Sequence, residues 1–166
     1  MKRVIILVIT LVLAGCTTID RNKGIAVEFK TGIVSSADCE KIEHSDLYPI
    51  KRDECRGIAV TTEAHRVKIV VGQNFGVEYL LSNLSKKNCY ELTHKLVHPA
   101  MIDSEGRERT EYSRSTNVGQ CYNEDEQYWG VFSWYVEEDW ESVEGPWIFS
   151  IMIDGTPLLS EVIYAH

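Results

Sequence analysis

An alternation of apolar and polar residues, repeated along the chain, most constrains its fold. Val67, Ile69 and Val71 lie on one side of Arg66–Val71. Phe75, Val77, Tyr79 and Leu81 do the same in the next run, and Trp147, Phe149, Ile151 and Ile153 in a later one. A period of two belongs to half-buried strands, not to helices. Gly72-Gln73-Asn74 and Asp103-Ser104-Glu105-Gly106 read as turns between runs, and Asp154-Gly155 is a strong hairpin signal. Further strands are expected over Ile25–Val34, Arg56–Thr62, Arg109–Val118, Gln127–Val136 and Leu158–Tyr164. In Gln127–Val136 the even set, Tyr128, Gly130, Phe132, Trp134 and Val136, is the expected core face. Asn88–His98 fits two templates. As a strand it aligns Tyr90, Leu92, His94, Leu96 and His98; as a helix it stacks Leu92 on Leu96. Pro99 is expected to end either element. About seven to nine short strands without a long helix imply an all-β antiparallel sandwich.

The amino terminus obeys other rules. Lys2 and Arg3 precede an apolar run from Val4 to Leu13, which ends in Leu13-Ala14-Gly15-Cys16. This is the layout of a signal peptide with a small-residue cleavage site, and residues 1–15 are set aside from fold reasoning. The run is about half the length needed to span a bilayer as a helix. Leu-Ala-Gly-Cys resembles the lipobox of bacterial lipoproteins. That resemblance implies cleavage before Cys16 and lipidation of its thiol and new amino group. Each buried methylene contributes about 0.8 kcal/mol, so several acyl chains anchor firmly where one does not. Thr17, not Asp, follows Cys16, which by the same resemblance favours the periplasmic face of the outer membrane over the alternative, a Gram-positive cell surface. Residues 16–24 are then the lipidated cysteine with a polar tether, and residues 25–166 form the folded domain.

The chain carries 17 basic and 25 acidic residues, for a formal charge of −8. Losing Lys2 and Arg3 with the leader makes it −10. No basic face for nucleic acid is visible. Cys39, Cys55, Cys89 and Cys121 remain after Cys16. In an exported chain an even number reads as two disulfides with three possible connectivities. Cys39–Cys55 and Cys89–Cys121 close the most local loops. The first would staple the irregular segment 35–57. A zinc site would want cysteines two to four residues apart, and none are that close.

As an ordered set, Gly72-Gln73-Asn74-Phe75-Gly76-Val77-Glu78-Tyr79, Pro99-Ala100-Met101-Ile102-Asp103 with Gly106, and Gly145-Pro146-Trp147-Ile148-Phe149 with Leu158-Leu159 resemble a bacterial domain-of-unknown-function family. The resemblance covers roughly residues 25–166. It implies an immunoglobulin-like sandwich in an exported or membrane-linked protein, and a strand over Asn88–His98. It brings no activity, cofactor or catalytic residue. The four cysteines and the long 35–57 segment depart from the family's pattern.

The sequence holds no Gly-x-Ser-x-Gly elbow, glycine-rich phosphate loop or His-Glu-x-x-His. His94 and His98, four apart on a strand, would stand about 13 Å apart, too far to share a metal. The acids of 124–126 and 137–144 fit no EF-hand spacing and read as a solvated face. No catalytic residue, metal or cofactor is expected. Trp129 and Tyr135, on the less apolar face of their strand, and Trp140, among acids, are the candidate ligand-binding residues. The leading expectation is a non-catalytic interaction module held near the membrane by its lipid, with an envelope protein or glycan as partner. The alternatives are a carbohydrate- or peptidoglycan-binding domain using those aromatics and, behind it, a hydrolase with an acid pair. Cys16→Ser is expected to leave an uncleaved precursor without acyl label; labelling that persists in the variant contradicts the lipobox assignment.

Overall fold

The computed structural model describes residues 24–37, 57–119 and 126–166. Cys16, the tether to residue 23, Cys39, Cys55 and Cys121 lie outside them, and with them both expected disulfide pairings. Of the four domain cysteines, Cys89 alone is among the described residues.

The described residues form nine strands: β1 Ala26–Ala37, β2 Gly57–Glu63, β3 Arg66–Val67, β4 Asn74–Ser82, β5 Cys89–Ile102, β6 Glu108–Gly119, β7 Gln127–Tyr135, β8 Gly145–Ile153 and β9 Thr156–Ala165. One 3-10 turn, Asp139–Glu141, interrupts them. Four strands make a sheet in the order β2-β1-β4-β7, and five make a second in the order β3-β9-β8-β5-β6. All pairings are antiparallel except the two-residue β3 against β9.

The alternation read from the sequence sets the packing. Phe75, Val77, Tyr79 and Leu81 of β4 face Leu92, Leu96, Trp147, Phe149, Ile151 and Ile153 of the other sheet across one core. Trp147 is its aromatic hub. Its ring lies 5.2 Å from Phe75, 5.1 Å from His98 and 6.0 Å from Trp134, and its indole N–H donates to the Val143 carbonyl. In β4 the alternate residues are buried too: Glu78 is 1% exposed and Leu80 6%. β4 is interior to its sheet and covered on both faces, so it has no wet side.

Two local expectations are corrected. The strand expected over Arg66–Val71 stops at Val67. Val67 and Ile69 are buried, but Val71 is 49% exposed. The Gly72 N–H donates to the Val136 carbonyl and the Gln73 N–H to the Val70 carbonyl, so the chain crosses between the sheets there as a turn. Pro99 does not end its element. β5 continues to Ile102, with its pairing to β6 shifted between Val97 and Met101. A bulge accommodates a residue that lacks an N–H without breaking the ladder on either side. Asn88–His98 is strand, not helix, and Asp154-Gly155 is a hairpin turn with positive φ at both residues (47° and 75°), the backbone of a type I′ turn.

Replacing the fully buried Trp147 with alanine is expected to cost about 3–5 kcal/mol, measured by denaturant unfolding. A loss below about 1 kcal/mol contradicts this assignment of the core.

Candidate functional site

β6 and β7 are the adjacent edges of the two sheets. Among the described residues β6 pairs only with β5, and β7 only with β4. Paired residues in an antiparallel ladder point to the same face. Tyr112 is opposite Leu96, Arg114 opposite His94 and Thr116 opposite Leu92. Leu92, His94 and Leu96 are buried between the sheets, so Tyr112, Arg114 and Thr116 belong to the inward side of β6. Yet Tyr112 is 42% exposed and Arg114 is exposed. Among the described residues the five-stranded sheet has one strand more than its partner, and β7 leaves the Tyr112–Arg114 part of β6 uncovered while Val118 is buried. The result is a lateral groove. One wall is Tyr112, Arg114 and Thr116. The other is the inward row of β7: Tyr128, Gly130, Phe132 and Trp134.

Rings close the end of the groove nearest Tyr112. Tyr112 stands edge-on to Trp134 with centroids 6.2 Å apart, and His98 lies 6.0 Å from Trp134. The Nδ1–H of His98 donates to the Pro99 carbonyl at 2.8 Å, which fixes that ring's tautomer. Behind these side chains lies a buried polar pair, Tyr79 Oη and His94 Nε2, 2.6 Å apart. Gly130 makes room for it: a Cβ there would come 2.5 Å from the Tyr79 hydroxyl. His94 Nδ1 and the Trp134 indole N–H are buried without a hydrogen-bond partner among the described residues.

The electrostatics follow from burial. Desolvation, with the Arg114 charge in support, lowers the His94 pKa to about 4. Burial, then Tyr128, push the Tyr79 hydroxyl well above the ordinary phenol range. At neutral pH the pair is an uncharged imidazole and an intact phenol. Such a pair can donate and accept hydrogen bonds, but it supplies neither a cationic acid nor a phenolate. Arg114 has no ion pair among the described residues and is the cation of the groove.

Asp103 braces the hairpin that carries β6. Its Oδ1 accepts the backbone N–H groups of Glu105 and Arg107, and its Oδ2 accepts the guanidinium groups of Arg107 (2.8 Å) and Arg109 (3.1 Å). These bonds, the Arg107 backbone N–H first, hold its carboxyl well below the usual carboxylate range.

The aromatic candidates from the sequence are placed apart. Trp129 is half-buried on the far face of β7, and its indole N–H donates to the buried Glu78 carboxylate at 3.1 Å. The Val60 N–H holds the other oxygen of Glu78 at 3.0 Å. Tyr135 is 53% exposed, on the same face as Trp129 but six residues, or about 20 Å, along the strand. Trp140 packs against the core from the 3-10 turn. Sequence reasoning placed His94 and His98 on β5 but did not foresee the groove. A glycine in the middle of the aromatic run of β7 was the available signal. Among the described residues no group of three His, Cys, Asp or Glu side chains could hold a metal.

The family model described as "Domain of unknown function (DUF3859)" matches residues 24–162. The crystal structure of an immunoglobulin-like protein from Pseudomonas aeruginosa superimposes with a TM-score of 0.60 at 14% identity, covering 86% of this chain and 96% of that one. At that identity the likeness establishes an immunoglobulin-like fold and nothing finer. No protein of curated function matches.

The displaced His94 pKa sets a pH dependence. The folded value of about 4 lies below the ordinary 6.5, so between these values the unfolded chain binds a proton that the folded chain refuses. Stability therefore falls as pH drops from about 6.5 to 4, by up to about 3 kcal/mol. His94→Phe is expected to flatten that part of the stability–pH curve. A variant curve parallel to the wild type in this window contradicts the assignment.

Proposed function

The chain belongs to the family described as Domain of unknown function (DUF3859), a description without an activity, and from there we propose that it is a lipid-anchored, non-catalytic binding module of the cell envelope. The observation that carries the binding reading is the exposure of Tyr112 and Arg114 on the inward side of β6, above the Tyr79–His94 pair. Inward residues of a sandwich are normally covered. Here the uncovered ones are an aromatic ring and a cation unpaired among the described residues, which suit a partner bringing a carboxylate or similar acid beside an apolar body. An envelope protein or an acidic glycan has that chemistry.

The lipid anchor rests on Leu13-Ala14-Gly15-Cys16, and the outer-membrane address on Thr17. Among the described residues no helix is long and apolar enough to cross a membrane. With such an anchor, the strand ends would fit one orientation. Ala26 pairs with Ser82, and Ser82 with Gln127, at the end where the tether joins. Trp134 lies seven residues up β7, about 23 Å away. The aromatic end of the groove thus faces away from the anchored end. Two disulfides complete the reading. Cys89 pairs in register with Gly119, and Cys121 follows two residues later, which favours Cys89–Cys121. Cys39–Cys55 then staples the remaining segment.

A photocrosslinking residue at Tyr112 in intact envelopes is expected to yield a discrete adduct that Arg114→Ala weakens severalfold. The same probe at Ser160, on the outer face of the five-stranded sheet, is expected to yield none. Identical adduct patterns from both positions, indifferent to Arg114, contradict the groove as the binding site.

A further inference from the structure

The end of the sandwich where β7 finishes carries exposed apolar side chains that the groove does not use. The Gln73 N–H donates to the Val70 carbonyl, so Val71 and Gly72 form the corner of a turn. The Gly72 N–H donates to the Val136 carbonyl, and the Val136 N–H to the Gln73 carbonyl. These bonds continue the β4–β7 ladder past its last strand pair, Asn74 with Tyr135, and set the turn beside the end of β7. Val70, Val71 and Tyr135, at 42%, 49% and 53% exposed, come together there in one loop cluster. Tyr135 points to the opposite face of β7 from Trp134, so the cluster is not part of the groove.

The cluster is held in place before anything binds. Glu141 is buried, and its Oε2 accepts the backbone N–H groups of Glu137 and Glu138, the two residues after Val136. The Gln73 side-chain amide donates to the Asn74 carbonyl at 2.9 Å. A surface already ordered loses little further entropy on association. The same turn presents Glu137, Glu138 and Asp139 to solvent. None of the three forms a salt bridge among the described residues. Lys68, just before the turn, is exposed and offsets one of those charges.

This chemistry selects the kind of partner. Valine side chains make no hydrogen bonds and lack the flat ring face on which a sugar stacks, which argues against a glycan. The acids oppose an anionic lipid surface. Apolar contacts beside unpaired carboxylates fit a protein segment whose apolar side chains are flanked by Lys or Arg.

We propose that the turn of residues 70–73, with Tyr135 and the acids of 137–139, is a docking surface for a basic, apolar segment of another protein. It is a second surface and does not depend on what the groove binds.

The test is a photocrosslinking residue at Val71 of the full-length protein in intact envelopes, with the adduct mapped by mass spectrometry. The adduct is expected on a protein segment that carries Lys or Arg within a few residues of the attachment point. Glu137→Lys with Glu138→Lys is expected to weaken it about tenfold, and Arg114→Ala to leave it unchanged. An adduct on lipid or glycan, one on an acidic segment, one indifferent to the double reversal, one lost equally with Arg114→Ala, or none at all would overturn the proposal. A purified assay avoids the charge reversals. A fluorescent amphipathic peptide, leucines on one face and lysines on the other, is expected to bind the detergent-solubilised protein. Val71→Ser and Tyr135→Ser are each expected to weaken it severalfold, and Glu91→Gln, at the opposite end of the sandwich, is not. Failure of the peptide to bind, equal loss in all three variants, or loss in none refutes the site.

Discussion

Two sheets of unequal width cannot fully cover each other, and most of what is distinctive here follows from that constraint. The core needs Leu92, Leu96, Phe149, Ile151 and Ile153 hidden from water, and β4 and β7 supply the cover. The cover ends at β7. β6, the fifth strand of the wider sheet, is tied to β5 by its ladder and braced at its turn by Asp103. Beyond the core-packed Val118, its inward side chains therefore cannot be the large aliphatic residues of a core. They are Tyr112, Arg114 and Thr116, which tolerate a half-wet position because each has a polar end.

The polar pair beneath them fits the same logic. A histidine and a tyrosine between two sheets cost free energy unless they satisfy each other. His94 Nε2 and Tyr79 Oη do so through one short bond, for which Gly130 leaves the space, while His94 Nδ1 has no partner among the described residues. Burial keeps both uncharged at neutral pH. Behind the exposed side chains of β6 there is thus an uncharged buried pair, with Arg114 as the neighbouring cation among the described residues. That arrangement suits recognition better than proton transfer.

The sheet architecture was legible because alternation survives in strands with one wet face, as in Trp147–Ile153. It was less legible where tertiary context changed the rules. β4 is buried on both faces, so Glu78 looked like a solvent residue until Trp129 and Val60 were found to hold it. Val71 continued the pattern of Val67 and Ile69, but the chain was already leaving the sheet. Pro99 looked like a stop because the bulge that absorbs it depends on pairing with β6, which is distant in sequence. The groove was hidden for a related reason. Tyr112, Arg114 and Thr116 read as a polar edge strand, and only the relative width of the two sheets reveals which side of that strand is inward. Trp129 illustrates the converse: an indole that looked spare from its position in the sequence is engaged by a carboxylate on a neighbouring strand.

The account stands or falls on β7 leaving the Tyr112–Arg114 part of β6 uncovered, and hydroxyl-radical footprinting of the tyrosines in dilute protein tests that most directly. Tyr112 is predicted to label as readily as Tyr135 and Tyr164, which are 53% and 49% exposed, while Tyr79 and Tyr90, at 0% and 1%, stay silent. A Tyr112 as protected as Tyr90 would mean that the edge is covered and that there is no groove.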